Sequence, residues 1–198
     1  MAADIKKMIS NLLEFYNFSD KTIITVGAGG GQFIEYGRNS KKVLAIDSDK
    51  EALVKLKENL IKSGLDDKFT LFHSDLYLSN LQGDVVLFEF CVHEMKDPEA
   101  ALKHALTMAP DIVIADHLPD SEWAYIIDEK EKISNSRAAL ELFHLKKDQR
   151  FDTFQFFNDY EELYQKVKVQ GARTIERIAK FKDKENFTIP MSYGFALI

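Results

Sequence analysis

Gly27, Gly29 and Gly31 stand at alternate positions directly after the apolar run Ile23-Ile24-Thr25-Val26, and Asp47 closes the next apolar run, Val43-Leu44-Ala45-Ile46. Glycines so spaced permit positive φ and remove every Cβ that would hold a ligand off the backbone. A strand that runs into a glycine turn, with an acid ending the second strand about 20 residues on, is the layout that binds an adenosine cofactor through its ribose. A dinucleotide fingerprint needs one more glycine or alanine where this chain has Gln32, so a pyrophosphate is disfavoured and a smaller group packed on the turn is expected.

Other residues with chemical potential cluster downstream. Glu89 lies inside an apolar run, where an ionised carboxylate is costly unless it is paired, so it is expected to face a cofactor pocket. His93 has the pKa class of a base at neutral pH, and Glu94 beside it has the means to orient the ring or hold an amine. Cys91 is the single cysteine, which excludes an internal disulfide framework and is too few thiolates to hold a soft metalloid. No metal site is expected: His93, His117 and His144 with Asp116 lack regular ligand spacing, and H-E-x-x-H is absent.

The elements that must position these residues alternate along the chain. Ile5, Met8, Ile9, Leu12, Leu13 and Tyr16 recur at helical spacing in an opening helix that ends near 17–20. Strands are expected at 22–26, 42–47, 69–73, 84–90 and 111–116. Helices are expected at 32–38, at 50–63 with Gly64 as its cap, and at 98–108 with Asp97-Pro98 at its start. The pattern loosens from 117 to 157, a helix follows from 159 to 170, and two last strands are expected at 174–181 and 192–198.

On these motifs the chain resembles the class I S-adenosylmethionine-dependent methyltransferases. The resemblance implies a doubly wound α/β fold, a mostly parallel seven-stranded sheet with an antiparallel last strand and helices on both faces. It implies S-adenosylmethionine as cofactor, with Gly27, Ala28, Gly29 and Gly31 beneath the methionine part and Asp47, next to Ser48, on the ribose hydroxyls. Asp75 would accept from the adenine amino group and Leu76 would cover the ring. Glu89 and Phe90 would face the methionine, and the loop through His93 and Glu94 would face the acceptor. Enzymes of this kind align nucleophile, methyl carbon and sulfur for in-line displacement, so a base is optional and His93 is its candidate. Three departures stand out: Thr25 where an acid is frequent, Ala109-Pro110-Asp111 where Pro-Gly-Gly is usual, and Gly30 where a small polar residue is common.

A length of 198 residues with 45% hydrophobic content suits one α/β domain over 1–198. Within it, 117–157 is expected to be a substrate-recognition insertion, because it follows the fifth strand and carries Trp123, Tyr125, Phe143, Phe151, Phe154, Phe156 and Phe157. A net charge of -6 argues against nucleic acid as partner and leaves a small-molecule acceptor of apolar or aromatic character. Met1 to Ser10 lacks an apolar leader and no run reaches membrane-spanning length, so a cytoplasmic protein is expected. A homodimer through an edge beside the last strand is left open. Two other function classes are also open: a cofactor-binding regulatory or scaffold protein without activity, for which Thr25 makes room, and an NAD-dependent Rossmann oxidoreductase, for which Gln32 is the wrong residue.

Overall fold

The computed structural model describes residues 4–198, so the first three residues of the leader reading lie outside it. β1 (Thr22–Val26) is buried along its whole length. It pairs in parallel with β2 (Lys42–Asp47) and with β4 (Val85–Glu89). β3 (Phe69–His73) adds to β2 and β5 (Asp111–His117) to β4, again in parallel. The full order is β3-β2-β1-β4-β5-β7-β6, and β7 (Phe187–Leu197) runs antiparallel to both its neighbours. The last strand in the chain is therefore the antiparallel one, as expected. The order turns around between β1 and β4, which opens a crevice at the carboxyl ends of these strands.

Unbroken apolar strands require cover on both faces, and the alternation within β4 provides it. Val85 and Leu87 join one core with Leu12, Leu56 and Phe195, whereas Val86 and Phe88 join the other with Leu102 and Met108. α1 (Ile5–Phe15) and α2 (Lys50–Ser63) cover the first face, and α3 (Pro98–Met108) the second. Asp49 caps the N-terminus of α2, Asp97 that of α3, and Gly64 ends α2 at φ 63°. No helix among the described residues is long and apolar enough to cross a membrane.

The second half departs from the expected pattern. The segment 174–181, expected as a strand, is helical: α7 (Ala172–Ile178) and a 3-10 turn at Ala179–Phe181. Thr174, Ile178 and Phe181 are buried at spacings of four and three, the helical period, which outweighs the strand preference of Thr and Ile. The missing strand lies in the region read as loose. β6 (Lys147–Phe157) is eleven residues long and pairs with β7 from Lys147↔Leu197 to Phe157↔Phe187. Before it come α4 (Glu122–Ile126) and α5 (Lys130–Leu140). The expected helix at 32–38 shrinks to a 3-10 turn, Ile34–Gly37, and that at 159–170 divides into α6 (Tyr160–Val167) and a 3-10 turn before Gly171. β7 begins earlier than expected, at Phe187, and occupies an interior position, so the sheet edges are β3 and β6.

Candidate active site

Two cavities meet at Gly27, one of about 330 Å³ and one of about 300 Å³. Asp47, Ser48, Asp75, Leu76 and Cys91 line the larger, together with Glu94. The smaller is lined by Gly27 to Gly30, Glu89 and Phe90, with Met8, Phe33, Trp123 and Met191 as apolar walls. The turn between β1 and the 3-10 helix brings the two together because Gly27 takes φ 73° and lies hard against Cys91, where an added Cβ would stand 2.6 Å from the Cys91 Cβ. An added Cβ would meet nothing at Gly30 and only the Gly27 carbonyl, at 3.8 Å, at Gly29. Asn59 Nδ2 donates to the Gly30 carbonyl at 2.6 Å, which fastens the extra glycine of the turn to α2.

Asp47 is tied to this turn. Its Oδ2 accepts from the Gly29 amide at 3.1 Å and its Oδ1 from the Asp49 amide at 2.9 Å, while capping of α2 falls to Asp49. Each carboxylate oxygen keeps a lone pair for a further donor. Asp75 caps a short 3-10 turn by accepting from the Tyr77 amide at 2.9 Å, and it lines the same cavity. Turn chemistry and cavity lining coincide in that residue.

Glu89 is buried, and Thr25 and Tyr36 both donate to its Oε1, at 2.5 and 2.6 Å. No described residue bonds Oε2, so that oxygen is left for the cavity that Glu89 lines. Burial raises this carboxyl to about 7 against the lowering effect of the two hydroxyls. Thr25, the departure at the end of β1, thus becomes a support for an acid on β4. Tyr36 escaped sequence reading because a tyrosine in a short turn carries no pattern. Phe90 adopts φ 52°, a costly conformation for a non-glycine residue, and packs its ring on Phe33 and His117.

His93 lies off both cavities. Its Nδ1 stands 2.5 Å from Asp116 Oδ1, and its Nε2 is 3.6 Å from Glu94 Oε1 and from Glu129 Oε2. Burial would lower its pKa, yet the hydrogen bond to Asp116 and the nearby carboxylates of Asp116 and Glu129 prevail, raising it to about 10. The ring expected to act as a base is therefore held as a cation. The histidine at the smaller cavity is His117, which burial depresses to about 4 and whose Nδ1 has no partner among the described residues. Glu94 is half-exposed and paired with Lys132, away from that cavity.

The aromatic wall is narrower than the composition of 117–157 suggests. Of its rings only Trp123 lines the cavity. Phe157 is buried and stacks on Trp123, Phe151 stacks on Tyr193, and Tyr125 and Phe154 are exposed. Polar lining comes from Gln155 and Lys166, which α6 and β6 supply. Lys166 Nζ donates to Gln155 Oε1 at 2.9 Å and stands 5.1 Å from the centre of the Trp123 ring. Burial lowers the Lys166 pKa. Cys91 has its thiol pushed up by burial and donates to the Val26 carbonyl, so it packs the turn as a neutral group.

Comparison with known proteins accords with this geometry. The model of the methyltransferase domain family matches residues 1–184. Among solved structures, the chain resembles a candidate methyltransferase of Bacillus halodurans at 14% identity, covering 98% of this chain and 97% of that one with a TM-score of 0.69. The YcgJ protein of Bacillus subtilis shares 11% identity over 98% and 96% of the two chains, also at 0.69. A SAM-dependent methyltransferase of Aquifex aeolicus shares 18% over 99% and 97%, at 0.60. No curated protein matches at the level of sequence. A family match over nearly the whole chain and a glycine cradle of the right chemistry lead to one conclusion: the chain belongs to the class I S-adenosylmethionine-dependent methyltransferases.

Proposed function

We propose that the enzyme methylates a small apolar or aromatic molecule held in the cavity beside Glu89. The observation that carries this reading is the cavity itself: about 300 Å³, walled by Met8, Phe33, Phe90, Trp123 and Met191, and in direct continuity with the glycine turn. A volume of this order fits a small ligand and is lined as such sites usually are, with few polar groups on an apolar wall. The segment 117–157 contributes Trp123 from α4, Gln155 from β6 and His117 from the end of β5, which is the sense in which it would recognise the acceptor.

In this reading Asp47 and Ser48 hold the ribose, and Asp75 and Leu76 the adenine. Gly27, Ala28, Gly29 and Phe90 shape the methionine seat, while Gly31, which lines neither cavity, lets the turn close against Leu56 of α2. The free Oε2 of Glu89 receives the methionine ammonium, a charge-assisted contact that offsets the burial of the carboxylate. S-adenosylmethionine supplies an activated methyl group when bound. The protein contributes alignment and exclusion of water, and His117, neutral and with an unpartnered nitrogen, accepts a hydrogen bond from a protic acceptor. Alignment of this kind accounts for a large part of the barrier reduction in transfer between two bound groups. His93 and Glu94 then act by holding the loop after β4 in place.

The test is calorimetric titration of the purified chain with S-adenosylmethionine, followed by turnover against a panel of small phenols, amines and carboxylic acids, with release of S-adenosylhomocysteine as readout. We expect one cofactor per chain, an affinity loss of about tenfold or more in Asp47→Ala, and turnover of at least one small acceptor. Cofactor binding that is unchanged in Asp47→Ala, or turnover confined to protein or RNA, would overturn the reading.

A further inference from the structure

We propose that His93, Glu94 and Glu129 form a binding site for a divalent first-row transition cation, with Asp116 fixing the imidazole behind it. One ligand atom from each of His93, Glu94 and Glu129 lies within 4.8 Å of the others, and His93 Nε2 is 3.6 Å from Glu94 Oε1 and from Glu129 Oε2. An imidazolium that donates to a carboxylate comes to about 2.7–2.9 Å. A nitrogen placed equally far from two oxygens, beyond that range, is making a hydrogen bond to neither. Ligands bound at about 2.1 Å in a tetrahedral shell are about 3.4 Å apart, which is close to the separation found here.

The surrounding contacts have the same sense. Asp116 Oδ1 meets His93 Nδ1 at 2.5 Å and Oδ2 accepts from the His93 amide at 3.2 Å, so the ring is pinned with Nε2 outward. This is the carboxylate–histidine pairing that orients metal-binding imidazoles. Lys132 Nζ binds Glu94 on Oε2 and Gln170 Nε2 binds Glu129 on Oε1, each the oxygen turned away from His93. Every outer partner falls on an atom that does not face the centre. The charges agree too: Asp116, Glu94 and Glu129 against Lys132 leave two negative charges around a neutral imidazole, the charge a divalent ion cancels. The ion takes the place of the proton on Nε2, which leaves to solvent.

One imidazole with two carboxylates favours Zn²⁺ or Mn²⁺ over the alkali and larger alkaline-earth ions. His93 and Glu129 are buried, whereas the Glu94 side chain is 47% exposed and lines the larger cavity, which provides a route of entry. The His93 ring packs 5.7 Å from that of His117, so positive charge gained here lies one ring away from the acceptor cavity. There it would favour loss of a proton from an acceptor hydroxyl.

The experiment uses the full chain without an affinity tag, stripped with chelator and desalted, titrated calorimetrically with ZnCl₂ and with MnCl₂. We expect one ion per chain, with affinity reduced about tenfold or more by Glu94→Gln, by Glu129→Gln and by Asp116→Asn. Co²⁺ reports geometry independently, through visible absorption that Glu94→Gln should alter. Because Glu94 is half-exposed, that variant is expected to keep the wild-type melting curve. Absence of saturable binding, or affinities that both glutamate variants leave within about twofold of wild type, overturns the proposal. S-adenosylmethionine binding is measured on the same samples. Its loss with metal binding intact counts against the cofactor reading alone, and the reverse result counts against the metal site alone.

Discussion

Burial governs the charge of Glu89. Its carboxyl titrates near the ordinary 4.5 in an unfolded chain and is raised to about 7 in the folded one, chiefly by burial. Between these values the folded chain keeps a proton that the unfolded chain has lost, so stability falls as pH rises through that window, by about 3 kcal/mol in total. Glu89→Gln removes the penalty. Urea unfolding should find the variant more stable than wild type at about pH 8 by up to about 3 kcal/mol, and equal to it near pH 4.5. Cofactor binding should move the other way: wild-type affinity declines as pH drops below about 7 and Glu89 takes up its proton, and the Gln variant binds weakly at every pH. A flat calorimetric pH profile would remove Glu89 from the methionine seat. The acid itself was legible from its place in an apolar run, but its two supporting hydroxyls were not, since Thr25 and Tyr36 reach it from other elements.

At the scale of elements, the β1–turn–β2 unit was the most legible part of the chain. Each of its strands is apolar on both faces, and Asp49 and Gly64 mark the ends of α2 by chemistry local to the sequence. The turn is also where a single methyl group should matter most. Gly27→Ala places a Cβ at φ 73° and 2.6 Å from the Cys91 Cβ. We expect a loss of about 2–4 kcal/mol in denaturant unfolding, combining left-handed strain with steric overlap. Adding Cys91→Gly should restore the overlap component and leave the strain of about 1–2 kcal/mol. If the double variant is no more stable than Gly27→Ala, the two residues do not clash as described. β6 and α7 were misread because residue type masks the period: Phe154 and Phe156 on the other side of β6 interrupt the alternation Phe151, Thr153, Gln155, Phe157, and the helical period of Thr174, Ile178 and Phe181 is carried by residues that favour strands.

For the molecule as a whole, the cavity beside Glu89 is an assembly of distant parts. α1 brings Ile5 and Met8, the glycine turn the floor, α4 Trp123, β6 and α6 Gln155 and Lys166, and β7 Met191. Asn11 Nδ2 donates to the Tyr193 hydroxyl at 2.8 Å, tying α1 to β7. Ligand bound on the turn therefore shares a wall with α1. Hydrogen exchange with S-adenosylhomocysteine should show added protection in α1 and in 27–37, and none in the exposed half of β6 at 147–152. Protection confined to the turn would separate α1 from the site. Any pairing of copies through a sheet edge would have to use β3 or β6, and β6 presents Lys147, Asp148, Arg150 and Asp152, charges that discourage such pairing.

By itself the sequence determined the family, the glycine turn and the Asp47 that ends the next strand, the five parallel strands and the antiparallel last one. All of these rest on short-range signals, namely apolar runs, caps, and glycines that alone tolerate positive φ. The tertiary structure decided which histidine lines the cavity beside Glu89 and which sits among carboxylates. It also decided which aromatic ring of 117–157 is a wall and which are core, and that Thr25 supports Glu89. Those outcomes depend on groups far apart in the chain approaching within a few ångströms. Burial then sets their charge, which no local pattern of residues encodes.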